Sequence, residues 1–365
     1  MRIVIATDSF KASASSLEVA SSLAAGILTI IPTCEIRAVA IGDGGEGTLA
    51  ALLHSGFEAF TYEVTGPIGN PVSARIAIKD GVAIVEMAEA SGLAHLTDKK
   101  LAPLTATSYG TGELILKALY HGVHTILLAL GGSATSDAGA GALQAMGAKL
   151  LTKSGEEIGR GGAALIELAA INLSNLDPRI AKTRFTLASD VTNPLLGRNG
   201  AAYIFSPQKG ATTGDVSILE AAINHFASIA GVSHINSPGA GAAGGVGYMA
   251  FTFLGAEQRS GVEVVLELIS FKELVVGADL VITGEGKFDS QSLSGKAPMG
   301  VLRAAQSLGI PVMMVCGQAD IGGETEFKKV YALTEIESDV EKCIDNPAPI
   351  LQKIGVLIAS AISSG

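Results

Sequence analysis

Short runs of valine, isoleucine and leucine alternate along this chain with apolar positions spaced three and four residues apart. The first pattern predicts buried strands, and the second predicts amphipathic helices. Strands are expected at residues 2–6, 35–41, 125–130, 184–189, 280–283 and 312–315. Helices are expected through residues 17–27, 49–53, 112–120, 217–230, 298–307 and 347–362, the first of them capped by Ser13, Ser15 or Ser16. This alternation predicts a doubly wound α/β fold.

The pattern changes after residue 65. Residues 66–71 (Gly-Pro-Ile-Gly-Asn-Pro) predict a turn, and residues 72–78 and 82–85 predict a hairpin around Lys79-Asp80-Gly81. The opening alternation resumes past Phe271. We therefore expect a discontinuous Rossmann- or flavodoxin-like domain formed by residues 1–65 and 265–365. A second, mixed α/β domain, residues 66–264, is inserted into it.

Polar side chains gather where several predicted strands end. Glycines beside them let backbone N–H groups approach phosphate oxygens, and open α/β sheets bind ligands outside the carboxyl ends of their strands. Each loop alone is compatible with ordinary helix capping, but together they favour a site for a charged ligand. The loops carry Asp8, Ser9 and Lys11; Asp43 and Glu46; Ser133, Thr135 and Asp137; Asp190 and Asn193; and Glu285, Lys287 and Asp289. The loop that carries Glu285, Lys287 and Asp289, together with Lys296, suits a metal-bound phosphate.

Composition narrows the classes of partner. The formal net charge is −10 and no run of lysine or arginine occurs, which argues against nucleic acid and anionic membranes. Cys34, Cys316 and Cys343 lie far apart, as expected for reduced thiols in the cytoplasm. Apolar runs fall short of the ~18 residues of a membrane span, and Thr7-Asp8 comes too early for a signal peptide. We therefore expect a cytoplasmic protein with small-molecule partners.

Several fingerprints of other enzyme classes are absent. Ser290 stands where a Walker A loop ending in Gly295-Lys296 would need its first glycine, and Ala297 follows the lysine. No G-x-G-x-x-G follows the first strand, no G-x-S-x-G occurs, and the six histidines show no metal-ligand spacing. These absences disfavour P-loop NTPases, dinucleotide-binding oxidoreductases, α/β-hydrolases and histidine-based zinc enzymes.

Sequence blocks in one order along nearly the whole chain resemble the glycerate kinase family of bacterial glycerate 2-kinases. They are residues 6–11, 42–48, 64–67, 108–113, 131–141, 189–195, 238–247 and 284–296. The resemblance implies transfer of the γ-phosphoryl group of ATP to D-glycerate, with Mg²⁺, on two α/β domains whose cleft holds the site. A homodimer is one option for the assembly.

Phosphoryl transfer requires a proton acceptor and charges that neutralise phosphate, and candidates for each follow. The candidate catalytic residues are Asp190, Asp8, Lys11 and Asp43, with Asp190 favoured as proton acceptor because it follows a strand directly. Glu285 and Asp289 are expected to hold Mg²⁺. The expected nucleotide-binding residues are Gly131, Gly132, Ser133, Lys287, Ser292, Gly295 and Lys296. The expected glycerate-binding residues are Ser9, Glu46 and Arg198, whose guanidinium suits a carboxylate.

Three alternatives remain open from the sequence. The chain could phosphorylate another small hydroxy acid, because pocket details set the substrate on a shared scaffold. It could also be a glycerate 3-kinase. A non-catalytic protein that binds a sugar acid is a third option, although such a protein needs no carboxylate pair near lysines.

Overall fold

The computed structural model of this chain describes residues 1–10, 13–45, 47–96, 101–289, 292, 296–320 and 326–363. In chain order the strands are β1 (Arg2–Thr7), β2 (Glu35–Ala40), β3 (Glu58–Thr65), β4 (Pro71–Lys79), β5 (Val82–Glu86), β6 (Thr125–Ala129), β7 (Lys149–Leu151), β8 (Ala170–Asn172), β9 (Arg184–Ala188), β10 (Glu257–Arg259), β11 (Leu280–Phe288), β12 (Val312–Ala319) and β13 (Lys329–Ala332).

The helices follow the same order. They are α1 (Ser16–Ile30), α2 (Thr48–Leu53), α3 (Ala88–Ser91), α4 (Tyr109–Tyr120), α5 (Ala140–Ala145), α6 (Ala201–Phe205), α7 (Thr213–Ala230), α8 (Ala242–Leu254), α9 (Gly261–Leu268), α10 (Phe271–Val275), α11 (Ala297–Gln306), α12 (Leu333–Ile336), α13 (Val340–Asp345) and α14 (Ala348–Ser363). Short 3-10 helices cover Leu93–His95, Gly162–Glu167, Ile180–Lys182 and Pro207–Lys209.

The chain divides into two compact units. The first unit consists of Met1–Asp43, Ala50–Gly56 and Val262–Gly365, and the second consists of Gly44–Leu49 and Phe57–Gly261. The sequence assigned residues up to 65 to the first domain, but strand β3 belongs to the second unit because it pairs with β4 along its whole length. The assignment of domains drawn from the sequence stays a prediction.

The sheet of the first unit has the order β13-β12-β11-β1-β2, and every neighbouring pair is parallel. Counted within this unit, the order is 2-1-3-4-5, which is the flavodoxin-like form of a doubly wound sheet. The predicted α/β class is therefore confirmed. Thr7 is level with Ala40 and with Gly284, so β1 and β2 end at the same edge of the sheet, where β11 runs beside β1. The strand order reverses between β1 and β11, and such a switch point opens a crevice for ligands.

Helices α1 and α14 cover one face of this sheet. Ile3, Ile5 and Ile282 point into the core that these helices close. Gly26 and Gly355 allow the two helices to touch, since a Cβ at Gly26 would lie 2.0 Å from the carbonyl oxygen of Gln352. Helix α1 starts with a capping box between Ser15 and Glu18, so Ser15 is the cap among the three serines considered.

The sheet of the second unit is mixed, with the order β10-β9-β6-β5-β4-β3. Strands β10, β9, β6 and β5 are parallel, and β4 pairs antiparallel with both β5 and β3. The predicted hairpin of β4 and β5 is therefore confirmed. Glu86, Ala129 and Ala188 are level with one another, so β5, β6 and β9 end at the same edge.

One expectation about local structure is wrong. The sequence predicts a strand at residues 280–283 followed by a glycine loop, but β11 continues through Phe288. Its pairing with β12 extends the strand as far as Phe288, which is level with Ala319. Gly284 permits this pairing because a Cβ there would lie 2.4 Å from the carbonyl oxygen of Val315. Glu285 and Lys287 therefore project from a strand, which fixes their positions more firmly than a loop would.

Candidate active site

A cavity of about 310 Å³ lies at the switch point of the first unit. This volume is at the lower end of the ~300–1,000 Å³ usual for small-molecule sites. The cavity is lined by Asp8, Ser9, Phe10, Ser13, Asp43, Glu285, Gly286, Lys287, Lys296, Gly317, Gln318, Thr334, Val340, Cys343 and Ile344. Six residues expected in the site from the sequence therefore meet here: Asp8, Ser9, Asp43, Glu285, Lys287 and Lys296.

The end of β1 places Asp8 beside β11. The backbone N–H of Asp8 donates a hydrogen bond to the carbonyl of Gly284 at 2.9 Å, which extends the parallel pairing by one residue. The backbone N–H of Ser9 then donates to the carboxylate of Asp8 at 2.7 Å. The strand pairing thus sets the position of the first acid, and the next residue sets the orientation of its carboxylate.

Glu285 is the most buried charged group of the cavity. Glu285 is 7% exposed, and its Oε1 has no hydrogen-bond partner among the described residues. Lys296 Nζ lies 3.9 Å from the other carboxylate oxygen. Burial raises the pKa of Glu285, as do Asp289 and Asp43, while Ser292 and Lys296 act in the opposite direction. A buried carboxylate oxygen without a donor in this part of the chain is a natural position for a cation.

The two lysines of the cavity differ in their surroundings. Lys287 Nζ lies 2.8 Å from Asp320 Oδ2, and this ion pair raises the pKa of Lys287. Among the described residues, the ion-pair contact of Lys296 is the longer one with Glu285, and its side chain is 37% exposed. Lys296 is therefore the cation that can approach a bound anion with less competition from a neighbouring acid.

Asp289 and Ser292 are joined by hydrogen bonds after the end of β11. The backbone N–H of Asp289 donates to Ser292 Oγ at 3.1 Å, and Ser292 Oγ donates to the carbonyl of Lys287 at 3.2 Å. Neither residue lines the cavity in the described part of the chain. A direct role in binding stays a prediction for both.

The acidic side chains of the cavity are the candidate ligands for a metal ion. Among residues 1–10, 13–45, 47–96, 101–289, 292, 296–320 and 326–363, no three histidine, cysteine or acidic side chains are arranged to hold a metal ion. Mg²⁺ needs only one or two protein carboxylates, because phosphate oxygens and water complete its octahedron. The orphaned Oε1 of Glu285, in a cavity shared with Asp8 and Asp43, fits that requirement.

In the second unit, a buried lysine supports the glycine loop that follows β6. Lys209 is 1% exposed and donates from Nζ to Ser133 Oγ at 3.0 Å and to the carbonyl of Thr135 at 2.5 Å. Burial lowers the pKa of Lys209 to about 7, and nearby Asp137 opposes this shift. Gly131 and Gly132 precede Ser133 and are half-buried. The buried amino group of Lys209 therefore stabilises the loop that is expected to bind nucleotide.

Asp137 fixes the other end of the same loop. Its buried carboxylate accepts hydrogen bonds from Ser108 N–H at 2.8 Å, Ser108 Oγ at 2.9 Å and Gly139 N–H at 3.1 Å. Burial raises the pKa of Asp137, and these hydrogen bonds act in the opposite direction. Because its oxygens accept these hydrogen bonds, Asp137 has a structural role and helps to fix the start of α5.

The loop after β9 carries Asp190 on the exposed surface. Gln258, on β10, donates from Nε2 to the carbonyl of Ser189 at 2.9 Å and to that of Val191 at 2.8 Å. This one amide therefore holds the backbone on both sides of Asp190. Arg198, also exposed, lies in the turn that precedes α6. Among the described residues, no hydrogen bond or ion pair joins Arg198 to another residue predicted for the site.

Glu86 at the end of β5 anchors a third loop of this unit. Its carboxylate accepts from the backbone N–H groups of Gly47 and Leu49, each at 2.9 Å. Sequence reasoning missed Glu86, Lys209 and Gln258. Of these three, only Glu86 could have been recognised from the sequence, because it is an acid directly after a predicted buried strand. Lys11, Glu46 and Gly295 lie outside the described residues.

An α/β unit with acids and lysines at its switch point defines an enzyme that handles a charged small molecule. The model of the glycerate kinase family matches residues 3–363. The chain therefore belongs to the glycerate kinase family, and it is a phosphotransferase with an alcohol group as acceptor. No helix in the described part of the chain is both long and apolar enough to cross a membrane.

Individual relatives agree with this assignment. The chain is 45% identical to glycerate kinase of Bacillus subtilis, over 99% of this chain and 98% of that protein. It is 46% identical to glycerate 2-kinase of Escherichia coli, over 88% of this chain and 87% of that protein. A crystal structure of glycerate kinase 2 from Salmonella typhimurium LT2 superimposes with a TM-score of 0.87 at 38% identity, covering 100% of this chain and 99% of that one.

Proposed function

We propose that the chain transfers the γ-phosphoryl group of ATP to the 2-hydroxyl of D-glycerate, giving 2-phospho-D-glycerate and ADP. Membership of a kinase family implies ATP as the donor, and the relative from Escherichia coli is named glycerate 2-kinase. The observation that carries the proposal is the switch-point cavity of the first unit, where Asp8, Asp43, Glu285, Lys287 and Lys296 meet. Acids and lysines in one cavity suit a polyphosphate with its cation.

In the first unit, the lysines neutralise phosphate and the acids hold the cation. Lys296 contacts the phosphates, with Lys287 and Ser292 in support. If Mg²⁺ binds here, Glu285 would hold it through Oε1, with Asp289 as the second acid. When bound, Mg²⁺ neutralises charge on the β- and γ-phosphate oxygens. Asp8 and Asp43 complete the acidic lining, and Ser9 donates a hydroxyl to substrate.

In the second unit, Asp190 accepts the proton of the attacking hydroxyl. The glycerate oxygen then forms a bond to the γ-phosphorus, the bond from that phosphorus to the bridging oxygen breaks, and ADP leaves. Arg198 pairs with the glycerate carboxylate, because its planar guanidinium can donate two parallel hydrogen bonds. Gly131, Gly132 and Ser133 present backbone N–H groups to phosphate oxygens.

Other parts of the proposal rest on the sequence alone. Lys11 as a catalytic residue, Glu46 as a glycerate ligand and Gly295 as a nucleotide ligand belong to segments outside the described residues. A discontinuous domain of residues 1–65 and 265–365 with residues 66–264 inserted, a cytoplasmic location and a homodimer are further proposals. The separated, reduced cysteines support the location, since Cys34, Cys316 and Cys343 are free thiols.

The test is a coupled assay of the purified protein with ATP, Mg²⁺ and D-glycerate. Enolase acts on the 2-phosphate directly, whereas the 3-phosphate must first pass through a mutase. We expect an enolase signal without added mutase. A signal that requires mutase would identify a 3-kinase, and the same assay of ATP consumption with tartronate, glycolate and erythronate would detect a kinase of another hydroxy acid.

A further inference from the structure

Two large aliphatic side chains on α13 are exposed although they line the cavity of the first unit. Val340 is 49% exposed and Ile344 is 44% exposed. They are four residues apart in one helix, so they share a face, and Cys343 lies beside them. Single exposed hydrophobic residues are common, but a pair that lines a cavity indicates a surface for an apolar group of a ligand.

The loop after β1 holds α13 in this position. Ser13 Oγ donates to the carbonyl of Ile344 at 2.6 Å, which ties the end of the helix to the loop. From the same loop, Phe10 lines the cavity with a side chain that is almost fully buried. Phe10, Val340, Cys343 and Ile344 together form what we call the apolar wall.

The remaining lining of the cavity is polar and charged. It includes Asp8, Asp43, Glu285, Lys287 and Lys296, in the same volume of about 310 Å³ as the apolar wall. A ligand that uses the whole cavity must therefore combine strong charge with an apolar group. Glycerate has three carbons that all carry oxygen, so it has no such group. ATP combines a triphosphate with an aromatic base.

We infer that the apolar wall binds the base of ATP and that the charged lining of the same cavity receives its phosphates. The inference rests on the proposed function, which supplies ATP as a substrate. Contact of the ring with Val340 and Ile344 removes apolar surface of both partners from water. Thr334 and Gln318 also line the cavity, and their hydroxyl and amide groups suit the polar edge of a base.

Three variants test the inference by steady-state kinetics and by calorimetric binding of ATP. Ile344→Asn and Val340→Asn remove the apolar contact at exposed positions, where a polar side chain is tolerated. Ile30→Asn is the matched control, because Ile30 is also 44% exposed and does not line the cavity. Inorganic tripolyphosphate, which lacks a base, serves as a competing ligand for the charged lining alone.

We expect each cavity variant to weaken ATP binding and raise the KM for ATP about tenfold, the effect of losing one well-buried apolar contact. The KM for glycerate and the inhibition constant of tripolyphosphate should stay within about twofold of wild type, as should every parameter of Ile30→Asn. Unchanged ATP binding in both cavity variants would overturn the inference, and so would an equal loss of tripolyphosphate affinity. A wild-type protein that binds ATP but does not phosphorylate glycerate would instead overturn the proposed function, and calorimetry would still decide the position of the base.

Discussion

The amino group of Lys209 lies 3.0 Å from the hydroxyl oxygen of Ser133, although 76 residues separate the two in the chain. The same nitrogen donates to the carbonyl of Thr135. Ser133 belongs to the glycine loop after β6, and Lys209 ends a 3-10 helix that is remote in sequence. The shape of the loop therefore depends on an amine buried behind it.

The burial of Lys209 predicts a pH dependence of stability that disappears in Lys209→Met. Its pKa is lowered to about 7 by burial, while lysine in an unfolded chain has a pKa of ~10.4. Between these two values the unfolded chain binds a proton that the folded chain does not, so folding becomes more favourable as pH rises. From pH 7 to 8.5 we expect wild type to gain about 1–2 kcal/mol of unfolding free energy relative to the variant.

Urea unfolding of both proteins between pH 6.5 and about 9 measures this difference. Lys153→Met is the control, because Lys153 is an exposed lysine of the same unit and its removal should leave the pH dependence unchanged. Parallel stability curves for wild type and Lys209→Met would show that Lys209 titrates normally in the folded protein.

Sequence patterns predicted the central strands of the first unit well because β1, β11 and most of β12 are buried on both faces. Continuous aliphatic runs such as that of β1 have few alternative structures, and glycine and acidic residues mark their ends. The switch point follows from the strand order. The sequence indicated Asp8 directly after the first strand, but it placed Glu285 after a strand that in the structure continues through Phe288. What joins them is the pairing of Thr7 with Gly284, across more than two hundred residues of chain.

The residues that sequence reasoning missed act through long-range contacts. Lys209 stands in a segment that reads as a polar loop, and nothing local indicates that its amine is buried. Gln258 lies on β10, a strand of three residues that is too short to show a period. β3 alternates between exposed and partly buried positions and becomes evident only through its pairing with β4. The structure at these positions is therefore determined by tertiary contacts, which local sequence propensity does not reveal.

If Asp190 accepts the proton of the attacking hydroxyl, Asp190→Asn should lower kcat by ~10²–10⁴, because the amide cannot take up that proton. The KM for ATP should change little. Asp80→Asn is the control: Asp80 is an exposed aspartate in the β4–β5 turn of the same unit, at φ 48°, a conformation that asparagine tolerates. A kcat for Asp190→Asn near that of wild type would exclude Asp190 as the proton acceptor.

Gln258 should support catalysis by positioning Asp190. Gln258→Leu removes both hydrogen bonds to the carbonyls of Ser189 and Val191 while keeping a similar volume. We expect kcat to fall about tenfold or more with the KM for ATP unchanged, since small displacements of a reacting group are costly. In the double variant with Asp190→Asn, the second substitution should have almost no further effect on kcat. Additive losses would mean that Gln258 acts on some other residue.

Lys296→Ala should weaken ATP binding more than glycerate binding. Lys296 lines the cavity, lies 3.9 Å from Glu285 and has a side chain that is 37% exposed, so an anion in the cavity can reach it. We expect the KM for ATP to rise about tenfold or more, as for loss of one charge-assisted hydrogen bond. Lys272→Ala, at an exposed lysine of α10 that does not line the cavity, should leave both KM values unchanged. A larger effect on the KM for glycerate would place Lys296 at the acceptor instead.

Glu285→Gln should separate the metal requirement of the enzyme from its stability. The amide keeps the shape of the side chain but loses the negative charge that attracts a cation. We expect the Mg²⁺ concentration for half-maximal rate to rise about tenfold or more. Asp345→Asn, at an exposed acid outside the cavity lining, should leave that concentration unchanged.

Although Glu285→Gln should weaken Mg²⁺ binding, it should not lower the stability of the folded protein at neutral pH. The carboxylate of Glu285 is buried, and this burial raises its pKa. A group whose pKa is raised on folding stabilises the folded state at low pH, and this contribution is lost as pH rises through the folded pKa. Relative to Glu285→Gln, wild type should therefore lose stability as pH rises above the pKa of glutamate in an unfolded chain, about 4.3. At pH 7 without Mg²⁺ the variant should be at least as stable as wild type in urea. A variant that is less stable at pH 7 and keeps its normal Mg²⁺ requirement would make Glu285 a structural acid, because the two measurements would then agree on a role in folding alone.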